Sequence, residues 1–109
     1  VLGAAYRGGV KETAFSGVFD VVAQLRSRGA DVAVHDPMFT VDELRAFGWE
    51  PFHLGDPVDA VIVQADHEEY RGISDADIPG ARVVLDGRRV LTPGCVSTTV
   101  VSIGSGPTG

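Results

Sequence analysis

The stretch DAVIVQADHEEYR, Asp59 to Arg71, decides the fold. Its first seven residues form a nearly continuous apolar, largely β-branched run, which marks a strand covered on both faces rather than one alternating between core and water. Asp66 then stands where an N-cap belongs, with a helical turn expected through HEEYR. A strand hidden on both faces belongs to a parallel sheet held between layers, so the chain on either side should repeat the strand and helix units.

Upstream, Val1 to Ala5 (VLGAA) is a short apolar run ended by Gly8-Gly9, and from about Ala14 the residues Phe15, Val18, Phe19, Val22 and Leu25 recur at helical spacing. Thr13 is placed to cap this helix, Arg26 and Arg28 suit the dipole at its far end, and Gly29 falls at a left-handed C-cap. Asp31 to His35 (DVAVH) predicts the next strand, stopping at Asp36-Pro37. Thr40 and Glu43 form a capping box for a short helix, DELRAF, closed by Gly48, and Trp49 to His53 predicts a brief strand. Downstream, Pro79-Gly80 turns the chain into a strand at Arg82 to Leu85 (RVVL). Asp86-Gly87-Arg88-Arg89 follows directly, and Val96 to Ile103 (VSTTVVSI) supplies a last strand. The expected fold is α/β, a doubly wound, mostly parallel Rossmann-like sheet with helices on both faces, built by residues 1–103 with 104–109 as a tail.

The 109 residues, 44% of them hydrophobic, suit one domain with one core. Fifteen acidic against nine basic side chains give a net charge of -6, which excludes a broad nucleic-acid or anionic-membrane surface and leaves room for a single basic pocket. One cysteine, Cys95, excludes an internal disulfide and a cysteine-based zinc cage. His35, His53 and His67 are dispersed, without metal-ligand spacing. The chain opens at Val1 inside an apolar run, with no initiator Met, no basic leader and no apolar stretch of bilayer length, and reads as a piece of a soluble cytoplasmic protein.

In a sheet of this kind ligands bind beyond the carboxyl ends of the strands. The loops in question are Tyr6 to Thr13, Asp36-Pro37, Asp66-His67 and Asp86 to Arg89. The first invites a dinucleotide reading, with Asp36 as a ribose-binding acid, but its glycines do not fit G-x-G-x-x-G: Gly3 is followed by Ala4, Ala5, Tyr6 and a loop several residues longer. Asp36-Pro37 also reads as a plain strand-ending turn. Arg7 and Arg88 each lie just past a strand, and two guanidiniums at one sheet edge make an anion site, with Tyr6 beside Arg7 to stack on a base or reach a phosphate. The alternative is a surface arginine paired with Glu12 or Asp86. The acids Asp66, Glu68 and Glu69 are read as helix-start residues that favour the dipole, and Cys95 as a bystander.

LGAAYRGGVKETAFSG at the start, then VHDP, DAVIVQADHEEYR and VVLDGRRVL, taken in this order, resemble the C-terminal nucleotide-sugar-binding domain of the UDP-glucose/GDP-mannose dehydrogenases, over Val1 to about Ile103. The resemblance implies a parent with an N-terminal NAD-binding Rossmann domain, a helical middle domain that makes a homo-oligomer, and this domain closing over a UDP- or GDP-sugar. Such enzymes oxidise the sugar C6 alcohol to a carboxylate in two hydride transfers to NAD, through a cysteine that Cys95 does not match. No residue of this chain is therefore expected to be catalytic, and the fragment alone is expected to be inactive. Carried over by motif, Arg7 takes the place of a basic residue, usually Lys, that contacts the nucleotide sugar. Tyr6 matches the aromatic before it, and Arg88 matches the arginine of the family's D-G-R motif. Where many members read D-D-T-R-E-S this chain reads Lys11-Glu12-Thr13-Ala14-Phe15-Ser16, which leaves the base and the sugar open. A standalone NAD- or other nucleotide-binding regulatory module, and a receiver-like or purely structural α/β module, are the competing readings.

Overall fold

The computed structural model describes residues 1–4 and 17–102. Helix α1, Val18–Ser27, begins after Gly17 and ends where Gly29 adopts φ +89°, the left-handed turn its position in the sequence predicts. Thr13, expected to cap this helix, lies outside the described residues. Strand β1, Ala33–Val34, leads into helix α2, Val41–Ala46, whose capping box is complete: Thr40 Oγ1 accepts from Glu43 N at 3.1 Å and Glu43 Oε1 accepts from Thr40 N at 3.0 Å. After Gly48, at φ +90°, comes β2, Glu50–Pro51, where a proline is tolerated because the strand lies at an edge.

Beyond β2 the chain builds β3, Ala60–Val63, β4, Val83–Asp86, and β5, Thr99–Ser102. Strands β1 and β2 pair in parallel, and β3, β4 and β5 form a parallel three-stranded sheet in that order. Leu2 bridges in parallel to both His35 and Val63: its N–H donates to Ile62 O at 2.7 Å and its carbonyl accepts from Gln64 N at 2.8 Å. The described strand segments thus run β2, β1, Leu2, β3, β4, β5, with their carboxyl ends at one edge.

Two apolar clusters flank these strands. Val18 and Val22 of α1, Leu44 of α2, Ala4, Val34 and Trp49 form one. Leu2, Val61, Val63, Tyr70, Ile73, Ile78, Val84, Val90 and Val96 belong to the other. Adjacent β1 residues point opposite ways, Ala33 to the second cluster and Val34 to the first. The helical turn expected after β3 is, among the described residues, a 3₁₀ turn at Glu68–Tyr70 followed by a second at Asp75–Asp77, and β4 is joined to β5 by coil, so the expected layer of helices on this face is absent among the described residues. Gly72, Pro79-Gly80 and Pro93-Gly94 interrupt each segment before an α-helix can extend, so Tyr70, Ile73 and Ile78 cover that side instead.

Gly3 is required where it stands. Its φ is +110°, and a Cβ there would lie 2.5 Å from Ala65 Cβ and 2.6 Å from Ala65 N, so only glycine lets the first segment approach the end of β3.

Candidate functional site

Among the described segments that end at the carboxyl edge are Ala4 after Leu2, Asp36 after β1, Gln64 to His67 after β3, and Asp86 to Arg89 after β4. Two buried carboxylates organise it. Asp36, 3% exposed, accepts from Ala4 N at 2.7 Å and from His67 Nε2 at 2.7 Å on Oδ2, and from Met38 N at 2.8 Å on Oδ1. Because the carboxylate accepts, Nε2 of His67 carries the proton. Asp86, 2% exposed, accepts from Arg88 N at 3.3 Å and Val90 N at 3.0 Å on Oδ1, and from Leu91 N at 2.9 Å on Oδ2. Arg89 completes that turn with φ +54°.

Next to Asp36, Tyr70 is fully buried. Its hydroxyl donates to His35 O at 3.0 Å, so at 2.9 Å His35 Nδ1–H donates to it in return. Burial raises the Tyr70 phenol far above its ordinary range, with the charges of Asp36 and Glu69 adding to the effect, so the hydroxyl stays a donor. Burial also lowers His35, outweighing the opposing charge of Asp36; His67 and His53 push the same way as burial.

Arg88 sits just past β4 with its guanidinium half-exposed, and its Nη2 lies 3.6 Å from Asp66 Oδ2. Asp66 had been expected to cap a helical turn, but His67 holds the N-cap position of the 3₁₀ turn and Asp66 faces Arg88 instead. The arginine is thus paired with Asp66 rather than Asp86, whose oxygens are committed to backbone N–H groups. Tyr6 and Arg7 lie outside the described residues. The segment that contains them leaves this edge at Ala4 and returns at Gly17, where a Cβ would stand 3.3 Å from Gln64 Nε2.

A cleft of about 330 Å³ opens at the same edge, bordered by His35, Asp36, Phe39 and His53. Larger clefts, of about 650 and 540 Å³, lie at the opposite edge along Gly29 to Ala33 and Asp59 to Ile62, where among the described residues no buried carboxylate or histidine gathers. The buried polar side chains found among the described residues, Asp36, His67 and Asp86, gather at the carboxyl edge in spite of its smaller cleft. Among the described residues no three His, Cys, Asp or Glu are placed to hold a metal ion, and no helix is long and apolar enough to cross a membrane. Cys95 is half-buried against the second apolar cluster. Gly3, the glycine nearest to a dinucleotide fingerprint, is taken up by contact with Ala65, and Gly8 and Gly9 lie outside the described residues.

Sequence reasoning placed Arg88 correctly at the end of β4. It missed Asp36 as a hub, treating it as a plain turn or a ribose ligand, and it missed the carboxylate of Asp86 and the facing of Asp66. An Asp immediately before Gly-Arg, ending a strand, is the local signal of a side chain folded back onto its own turn. Nothing local signals the bond from His67 to Asp36.

A parallel α/β module with an anchored arginine turn at its carboxyl edge is the class these features define. The chain belongs to the UDP-glucose/GDP-mannose dehydrogenase family: residues 1–93 match that family's UDP-binding domain. It is 27% identical to the UDP-N-acetyl-D-mannosamine dehydrogenase of Pyrococcus horikoshii, over 97% of this chain and 25% of the relative. To the UDP-glucose 6-dehydrogenase AglM of Haloferax volcanii it is 31% identical, over 84% of this chain and 23% of the relative. It spans about a quarter of the length of these curated relatives. No solved structure matches it.

Proposed function

We propose that this chain is the nucleotide-sugar-binding domain, residues 1–103, of an NAD-dependent UDP- or GDP-sugar 6-dehydrogenase, whose whole chain oxidises the sugar C6 alcohol to a carboxylate. The observation that carries the reading is Arg88, half-exposed on a turn that Asp86 holds at the carboxyl edge of the sheet. The doubly wound, Rossmann-like description of the fold belongs to the same proposal; it is supported by the parallel order in which Leu2 stands between β1 and β3.

In this reading the Arg88 guanidinium binds a phosphate of the nucleotide sugar through two of its five N–H donors, and its backbone is already fixed when the ligand arrives. Arg7 follows Ala4 by three residues, a reach of at most about 11 Å, and supplies a second positive charge to the same ligand, while Tyr6 stacks on the base or donates to a phosphate. NAD and the reactive cysteine fall to the parts of the parent beyond this chain, as do the helical domain and the contacts of a homo-oligomer. The chain alone is then a binding module without turnover, and the parent a cytoplasmic enzyme.

The test is a titration of the 109-residue chain with UDP, GDP, UDP-glucose and NAD at low salt, followed by backbone amide shifts. Shifts at Gly87 and Arg88 with one diphosphate, weakened about tenfold in Arg88→Ala and several-fold or more in Arg7→Ala, support the reading and name the base. Unchanged affinity in both variants sinks the site, and shifts with NAD alone favour a standalone NAD-binding module.

A further inference from the structure

Asp66 and Arg88 face each other from two stems that are each anchored by a buried aspartate. Arg88 is fixed through its own N–H on Asp86, within a turn that also gives Val90 N and Leu91 N to the same carboxylate. His67, the residue after Asp66, is 1% exposed and tied to Asp36 at 2.7 Å. Between these anchors the Asp66 carboxylate rests 3.6 Å from the guanidinium, with the two side chains 42% and 38% exposed. Any anion that takes up the donors of Arg88 on this side meets that carboxylate at close range, and the anchored backbones favour a side-chain rotation in response.

We propose that Asp66 is the built-in counter-ion of Arg88, a residue that sets the strength of anion binding at this edge by competing for the guanidinium. The inference rests on the reading of Arg88 as a phosphate contact. Two effects act in the same direction: the ligand must displace or share an existing ion pair, and its own negative charge is repelled by a carboxylate a few ångströms away. Both are electrostatic at a half-exposed site, so both fade with salt. Asp66 thereby keeps Arg88 neutralised until a ligand arrives that has further contacts to offset the displacement, a condition that a nucleoside diphosphate meets and free inorganic phosphate does not.

The experiment compares UDP and inorganic phosphate binding by the unaltered chain, Asp66→Asn, Arg88→Ala and Glu68→Gln, at low and high salt, by amide shifts. Asn is nearly isosteric at a half-exposed position, and the amide spectrum of each variant reports that it is folded. Glu68→Gln removes the same charge from an exposed carboxylate that pairs with Arg71 instead. The expected result is that Asp66→Asn tightens UDP binding on the order of three- to tenfold at low salt, with the gain shrinking at high salt, and makes phosphate binding detectable at Arg88. Unchanged or weaker UDP binding in Asp66→Asn overturns the proposal, as does an equal gain in Glu68→Gln, which would assign the effect to net charge. If the unaltered chain binds no UDP, or Arg88→Ala binds it as well as the unaltered chain does, the phosphate-contact reading fails, and this inference fails with it.

Discussion

Asp36 and Asp86 are both buried aspartates at the carboxyl edge that accept N–H bonds on both oxygens, yet they do different work. Asp86 gathers only its own turn, from Arg88 to Leu91. Asp36 joins its own turn to Ala4 and His67, which lie more than thirty residues away on either side. One carboxylate shapes a loop and the other holds separate parts of the sheet in register. The contrast teaches that similar burial and the same kind of bond do not imply equal roles; what matters is how much chain each bond closes.

The largest expected effect tests the long-range hub from its backbone side. Gly3→Ala forces a Cβ against Ala65 at φ +110°, next to the Ala4 N–H that Asp36 holds, and should cost about 4 kcal/mol in urea denaturation. A loss below about 1 kcal/mol would mean that the close approach to Ala65 is dispensable. Asp36→Asn comes next: an NH₂ at the Oδ2 position faces the Ala4 N–H, and the expected loss is about 3 kcal/mol. Asp86→Asn places an NH₂ against Leu91 N within a single turn, for about 1–2 kcal/mol, while weakening UDP binding more than its effect on stability accounts for. Equal losses of stability in the two Asn variants would erase the distinction.

The smallest effect is a slope with pH. Burial lowers the pKa of His35 in the folded protein below its ordinary 6.5, so the unfolded chain binds the proton more readily. The contribution of His35 is complete above pH 6.5 and is lost as pH falls below it. Thermal midpoints should therefore drop on acidification, and less steeply in His35→Asn, whose amide can still donate to Tyr70. An identical slope in the variant would assign the pH dependence to other groups.

The same division separates what the sequence made legible from what it did not. The Thr40–Glu43 capping box, the left-handed Gly29 and Gly48, and the strand expected at Arg82 to Leu85 and found at Val83–Asp86 all follow from residues a few positions apart. Arg88 was placed at the sheet edge for the same reason. The link from Asp36 to His67, the pairing of Tyr70 with His35, and the facing of Asp66 toward Arg88 depend on which strands become neighbours, and no local pattern encodes that. The sequence predicts a helical turn capped by Asp66 after β3; one 3₁₀ turn forms there with His67 as its N-cap, and Gly72 follows it.

The place of Leu2 between β1 and β3 bears on how the domain assembles. Its partners His35 and Val63 come from far along the chain, so the middle of the sheet can form only after two long loops have closed. Local pieces such as α2 and its capping box have no such wait. Folding should therefore be slow for a chain of this size, with the central pairing as its late, rate-setting event, and variants at Leu2 and at Thr40 should both slow folding, since the capping box is already formed when that event occurs.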